Sequence, residues 1–289
     1  AQQTRPPRVS RSRADLAALQ EPPDRPRPIG DVPEVIDYPR DIQPILNDLC
    51  VDCHGYEKTE KGGPYAGKVV LTGDHGPLYS HSYYTMNVRN LFKDGRNTTE
   101  SSQPPRSIGS GASRIFDMID GSHHGVQASD QQRKMLRLWI DSGAVYAGTY
   151  AAVGTGQIGL PAVDLDTKKH TRIRMGTNWP EVKTGSQVIR KRCYSCHKGG
   201  KRVPVHLSDN GGPGRFSRHV VFNLSRPEKS LLVLAPLAKE AGGFGVCREK
   251  SGKPARVFKN KKDSGYKKLL AMCRRGQQYL QKDKRFDME

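Results

Sequence analysis

Cys50-Val51-Asp52-Cys53-His54 decides how this chain reads, and Cys193-Tyr194-Ser195-Cys196-His197 repeats it. In each copy two thiols stand three positions apart, with a histidine directly after the second. That spacing is the signature of covalent c-type haem attachment. One turn of backbone lets both sulfurs reach the vinyl groups on one porphyrin edge, and the next residue carries its imidazole beneath the iron as axial ligand. With 6 Cys and 9 His in 289 residues, chance supplies about 0.004 copies of the pattern, so two copies are no accident. A zinc ribbon needs its cysteine pairs about 15 to 20 residues apart, whereas Cys53 and Cys193 are 140 positions apart. A thioredoxin-like pair needs a βαβ setting, and neither motif has one. The expected cofactor is haem c, two per chain, held by Cys50, Cys53 and His54 and by Cys193, Cys196 and His197.

Composition agrees with such a chain. Hydrophobic residues make up only 35%, and 30 Gly with 20 Pro imply much irregular backbone. A porphyrin ringed by side chains supplies apolar volume that the polypeptide then need not build. The expected fold is mainly α with much irregular loop, as two class-I-like c-type cytochrome domains in tandem. The net charge of +19 raises the question of nucleic acid. The basic residues are spread along the chain without a nucleic-acid fold signature, so acidic partners or an anionic surface fit better. No run of 18 apolar residues exists, so no transmembrane segment is expected. The opening Ala1-Gln2, without an initiator Met, reads as a mature secreted chain, periplasmic or extracellular. In that oxidising setting Cys247 and Cys273 are expected to form one disulfide, or else to be a pair of buried thiols.

Along the chain, residues 1–34 form a Pro/Arg-rich arm, with six Pro and six Arg in the first thirty and one short helical candidate over Ala14–Leu19. Too apolar-poor to fold alone, the arm is expected to lie on its own body or, better, on a neighbouring subunit, giving a homo-oligomer or filament. Residues 35–150 are the first cytochrome domain, 151–180 a linker and 181–289 the second domain. Ile42, Ile45, Leu46 and Leu49 predict a helix capped by Asp41 and running into Cys50. Ser186 predicts a short helix carrying Val188 and Ile189 into Cys193. Further helices are expected over Tyr83–Phe92, over Gly111–Asp120 up to Gly121, and from a Ser129/Gln132 capping box to Asp141, ended by Gly143. Met272 reads as core beside Leu269 and Leu270 on a last helix. Residues 55–112 form a long loop of the kind that wraps a ligand.

Several segments carry a family resemblance. The run Asp41-Ile42-Gln43-Pro44-Ile45-Leu46 before the first motif looks like the cytochrome modules of planctomycete-type proteins. With Pro105–Ser113, Asp120-Gly121-Ser122-His123, Leu138-Trp139-Ile140-Asp141, Arg218–Leu224, Arg226–Leu232 and Lys284–Met288, residues 35–289 resemble the C-terminal dihaem region of hydrazine synthase alpha-subunit-like proteins. The resemblance implies a shared dihaem scaffold. In that family's enzyme one haem is catalytic with an unusual ligand set, for which Tyr56 and Tyr65 are the tyrosine candidates here.

The sixth ligand separates carriers from catalysts, because an iron with two strong protein ligands moves electrons while an open position admits substrates. His123, in a Gly-flanked turn and matching the family's Gly-Ser-His pattern, is the expected partner of His54, with His124 next in line. For the second haem His219 is the first choice, with His206, His170, His75 and His81 as alternatives. The expected metal ligands are therefore His54, His123, His197 and His219. The function they imply is an extracytoplasmic dihaem cytochrome passing electrons between redox proteins, as a soluble shuttle or as the subunit of a cytochrome filament. The alternative is a haem redox enzyme, hydrazine-synthase-like or a dihaem peroxidase, with one open iron.

Overall fold

Helix α1, Gln43–Leu49, does not begin at Asp41 as its apolar spacing predicts. Residues Tyr38–Ile42 already form a π turn that runs into it. Asp41 is spent inside that turn, where its carboxylate accepts the Asp37 amide at 2.7 Å and pairs with Arg40 at 2.8 Å. The computed structural model describes residues 27–95, 102–149, 178–249, 251–255 and 257–282, together with Pro22, Arg25, Ala152, 156–158, 162–163 and 170–171. The expected Ala14–Leu19 helix and most of the 151–180 linker lie outside them. The described chain is mainly helical with much loop.

After α1 come α2 (His81–Val88), α3 (Asp130–Asp141), a two-residue antiparallel pair β1 (Ala162–Val163) and β2 (His170–Thr171), α4 (Pro180–Arg192), one-turn helices α5 (Arg218–Val221) and α6 (Leu231–Leu234), and α7 (Ser264–Lys282). Helix α3 has its expected capping box: Ser129 Oγ accepts the Gln132 amide at 3.2 Å, while Gln132 accepts the Ser129 amide at 2.9 Å. Helix α2 ends at Val88, short of the expected Phe92. The expected helix over Gly111–Asp120 is instead two 3-10 pieces, Ser110–Ala112 and Arg114–Met118. Helix α4 starts six residues before Ser186, because Pro180 after an extended Trp179 is a ready first turn. Ser186 lies mid-helix and donates to the Val205 carbonyl.

Residues Val35–Glu289 form one unit, and Ala1–Glu34 another. Around the first motif the core is aromatic: Tyr38 and Trp139 are fully buried, with ring centroids 5.2 Å apart, and Tyr83 and Tyr146 pack on them. Around the second motif it is aliphatic, where α4 crosses α7 through Val182, Ile189, Leu269 and Met272. Gly185 permits this approach, since a Cβ there would lie 2.7 Å from Met272 Sδ.

The segment Phe222–Arg226 joins the two regions by lying beside residues 72–81. Leu224 N donates to the His75 carbonyl at 2.8 Å, and the His75 amide to Ser225 Oγ at 2.8 Å. Arg226 grips Asp74 with two bonds of 3.0 and 2.6 Å, and Asn223 and Thr72 donate to the same carboxylate. His81 Nε2 meets the Phe222 carbonyl at 2.9 Å, which makes that nitrogen the donor and leaves Nδ1 to accept the Tyr56 hydroxyl at 2.6 Å.

Candidate haem-attachment sites

The two motifs share one backbone. Helix α1 ends at Cys50 and α4 at Cys193, and each cysteine bonds back to the residue four before it, Leu46 or Ile189, at 2.9 Å. The next amide, of Val51 or Tyr194, reaches the same carbonyl. The second cysteine and the histidine then both donate to the carbonyl of the first cysteine, His54 and His197 each at 2.9 Å. Four hydrogen bonds thus recur at equivalent positions. The chain makes the same tight turn twice and sets two sulfurs and an imidazole on it in the same way.

Thiol environments repeat as well. The first thiol of each motif is largely enclosed, and burial pushes both Cys50 and Cys193 up to about 12. The second thiols are more open, Cys53 half-buried and Cys196 exposed. Cys53 donates to the Lys61 carbonyl at 3.1 Å, which draws the 57–62 loop over the motif.

Both histidines are oriented by a backbone acceptor. His54 Nδ1 lies 3.1 Å from the Ala66 carbonyl and His197 Nδ1 3.3 Å from the Lys201 carbonyl, so in each ring the proton sits on Nδ1 and Nε2 keeps its lone pair. This is the arrangement by which proteins fix a metal-binding imidazole and raise its basicity. His54 is further held below the ordinary histidine range by burial, partly offset by the Ala66 bond, and by the neighbouring His123 and His124.

The structure brings His123 to His54. The rings lie 14° from parallel with centroids 6.1 Å apart. Two imidazoles on opposite sides of one iron would stand about 6 Å apart, from metal–nitrogen bonds of about 2.0 Å and about 1.1 Å from each nitrogen to its ring centre. The spacing of the two rings therefore fits that of two imidazoles sharing one haem iron. The turn presenting His123 is wired on both flanks: Ser122 donates to Asp120 at 2.9 Å and to the Asp117 carbonyl at 3.0 Å, and Val126 N to the His123 carbonyl at 3.0 Å. His124 is exposed, at a φ of 52°, with its ring edge-on to His123 at 4.7 Å.

The second site differs. The ring against His197 is Phe216, 66° from parallel at 5.5 Å. His219 packs instead against Tyr84 at 4.7 Å and Tyr79 at 5.7 Å on the joint between the regions. Burial, then Arg218, His81 and His75, hold it down at about 3, and its Nδ1 is buried without a hydrogen bond. His81 is committed to Tyr56 and Phe222, His75 Nδ1 lies against the Gly76 carbonyl, and His206 Nδ1 is 3.0 Å from Ser208 Oγ. The backbone of His170 lies in β2. Neither tyrosine candidate meets His54: Tyr56 is buried against His81, and the Tyr65 ring stacks on Phe244 at 5.9 Å. Cys273 is fully buried and Cys247 lies within electrostatic reach of Cys193 and Cys196, both as free thiols, so the disulfide expected between them is not formed.

Sequence reading missed the Ala66 and Lys201 carbonyls, Phe216 and the Tyr65–Phe244 stack. Backbone acceptors carry no side-chain signature, and aromatic contacts across separate loops have no spacing rule. Among the described residues, no helix is long and apolar enough to cross a membrane. Comparison with protein families, with characterised proteins and with solved structures finds no match to this chain.

Proposed function

We propose that this chain is an extracytoplasmic c-type cytochrome that carries two covalent haems and passes electrons between redox proteins. The near-parallel, 6.1 Å pairing of His54 with His123 above a Cys50/Cys53 turn is the observation that carries the reading. Haem bound there would supply reversible one-electron exchange. The chain's part is to hold it still. Cys50 and Cys53 fix one edge, the Ala66 carbonyl sets the His54 tautomer, and the braced 120–126 turn keeps His123 in place. Two fixed imidazoles demand little rearrangement when charge changes, which suits a carrier. Cys193, Cys196 and His197 would hold the second haem on the same backbone. The shared dihaem scaffold of hydrazine synthase alpha-subunit-like proteins belongs to this proposal, as does a filament assembled through the arm at residues 1–34.

One observation favours a second reading. Phe216, not a histidine, faces His197, which suits a haem enzyme whose second iron is open to a small ligand. Pyridine haemochrome with intact-mass analysis tests attachment, two haems per chain being expected; a colourless protein of bare polypeptide mass refutes both readings. Electron paramagnetic resonance then separates them: low-spin signals at both irons support the carrier, and a high-spin signal that shifts with cyanide supports the enzyme.

A further inference from the structure

We propose that the surface around Cys196 docks an acidic redox protein, an inference that rests on the dihaem reading above. From Lys183 to Arg202 the chain carries seven Lys and Arg and no carboxylate. Arg192 is paired with Asp263 and Arg202 with Asp209, both at 2.8 Å; the other five have no carboxylate partner among the described residues. Lys191, Lys198 and Lys201 are exposed, and so are Ser195 and Cys196 between them. The attachment sulfur thus reaches solvent inside a collar of unneutralised positive charge. Exposed Arg215 extends the collar, its guanidinium 5.0 Å from the ring of Phe216, which is the ring against His197. Val246, 56% exposed and next to Cys247, adds an apolar side chain on this side of the molecule. Apolar contact inside a charged rim is the anatomy of a protein interface.

The charge is not something the motif itself requires. Around the first copy stand exposed Asp48, Asp52, Glu57 and Glu60, where cations and carboxylates are mixed and largely paired: Lys61 with Asp52 at 2.9 Å, Lys229 with Glu57 at 2.7 Å and Arg226 with Glu57 at 3.5 Å. The two attachment faces are therefore electrically different, and the second is specialised for an anionic partner. A second copy of the chain is the poorer occupant, because both would approach with a net charge of +19. An acidic redox protein is attracted at every distance, and such a collar raises association rates about 10- to 1000-fold while leaving the complex transient.

Flavodoxin, an acidic one-electron carrier, serves as probe. Stopped-flow electron exchange and calorimetric binding are measured with the haem-loaded full chain at low and at physiological ionic strength. The expected result is that Lys198→Glu with Lys201→Glu lowers association at low salt about tenfold or more and flattens its salt dependence. Arg106→Glu with Arg137→Glu, the same charge change on the first half, lowers it less than about threefold. Lys198→Gln with Lys201→Gln gives a smaller drop in the same direction and serves if the reversed variant is poorly folded. Equal losses in the two reversed variants, no loss in either, or a change confined to self-association of the protein overturns the proposal. Haemochrome counting on the same samples shows separately whether the dihaem reading has failed, and the calorimetric arm reports docking without electron flow.

Discussion

Asp74→Ala tests how the two attachment regions are held in one unit. The Asp74 side chain is 10% exposed and accepts two bonds from Arg226, one from Asn223 and one from Thr72. Removing one partner of a buried ion pair costs about 3 to 5 kcal/mol. Arg226 is 38% exposed and keeps Glu57 at 3.5 Å, so its charge is not stranded, and the expected loss is about 2 to 3 kcal/mol. At roughly 2 to 4 °C per kcal/mol for a unit of this size, Tm falls by about 4 to 12 °C in far-UV circular dichroism. Arg226 also stacks over Tyr56, two residues after His54, at 5.4 Å. The destabilised variant is therefore expected to expose the first haem site to solvent earlier on heating than the second. A double-mutant cycle with Arg226→Met isolates the pair, with a coupling of at least about 1 kcal/mol expected. Losses that add within about 0.5 kcal/mol would refute the claim that this contact clamps the joint.

His123→Ala is expected to convert the low-spin first haem to a high-spin or water-bound form, with exogenous imidazole restoring the original spectrum; an unchanged spectrum shows that another group ligates that iron. Cys193→Ala with Cys196→Ala should leave one covalent haem by mass and haemochrome, whereas two remaining haems would contradict the assignment of the second motif. Gly185→Ala places a methyl against Met272 Sδ at the α4–α7 crossing and is expected to cost about 1 to 3 kcal/mol, measured by urea unfolding. Asp74 gives a pH signature. Burial pulls its carboxyl up, but the Arg226 bond and charge, with His81 and Asn223, hold it below the usual carboxylate range. Its stabilising contribution is therefore complete above about pH 4 and is lost as pH falls through the depressed folded value, a loss that Asp74→Asn abolishes in acid titrations of stability.

Reading the sequence recovered what is local and periodic. The Ser129/Gln132 box fixed the start of α3 because each cap uses a side chain three residues from its partner. Met272 emerged as core from its spacing with Leu269. The failures have physical causes. Asp41 looks like a cap, but Pro39 and a π turn place helical backbone before it, and its carboxylate turns to Asp37. Ser186 looks like a cap too, yet Trp179-Pro180 opens the helix two turns earlier and Ser186 serves Val205 across the fold. The turn that carries His123 was legible because its flanking Gly and Ser announce it. His219 was misleading because a Val-rich segment reads alike whether its histidine lines a cofactor site or packs on tyrosines from a distant helix.

The deeper contrast is between a repeated turn and unrepeated surroundings. Both motifs bond their backbone identically and tie their histidine to a downstream carbonyl, so the proposed attachment would be decided within about fifteen residues of each copy. What lies opposite each histidine comes from farther away: His123 from a hairpin before α3, Phe216 from the loop before α5. On the proposed reading, local sequence would decide that a haem is carried, and distant packing how closed its iron is. Exchanging Phe216 for His puts this separation to a direct test. If the environment opposite His197 alone sets that iron's character, the variant should retain two covalent haems and turn a high-spin second site toward low spin. A spectrum that is low-spin already in the wild type, and unmoved by the change, would mean that another histidine reaches that iron.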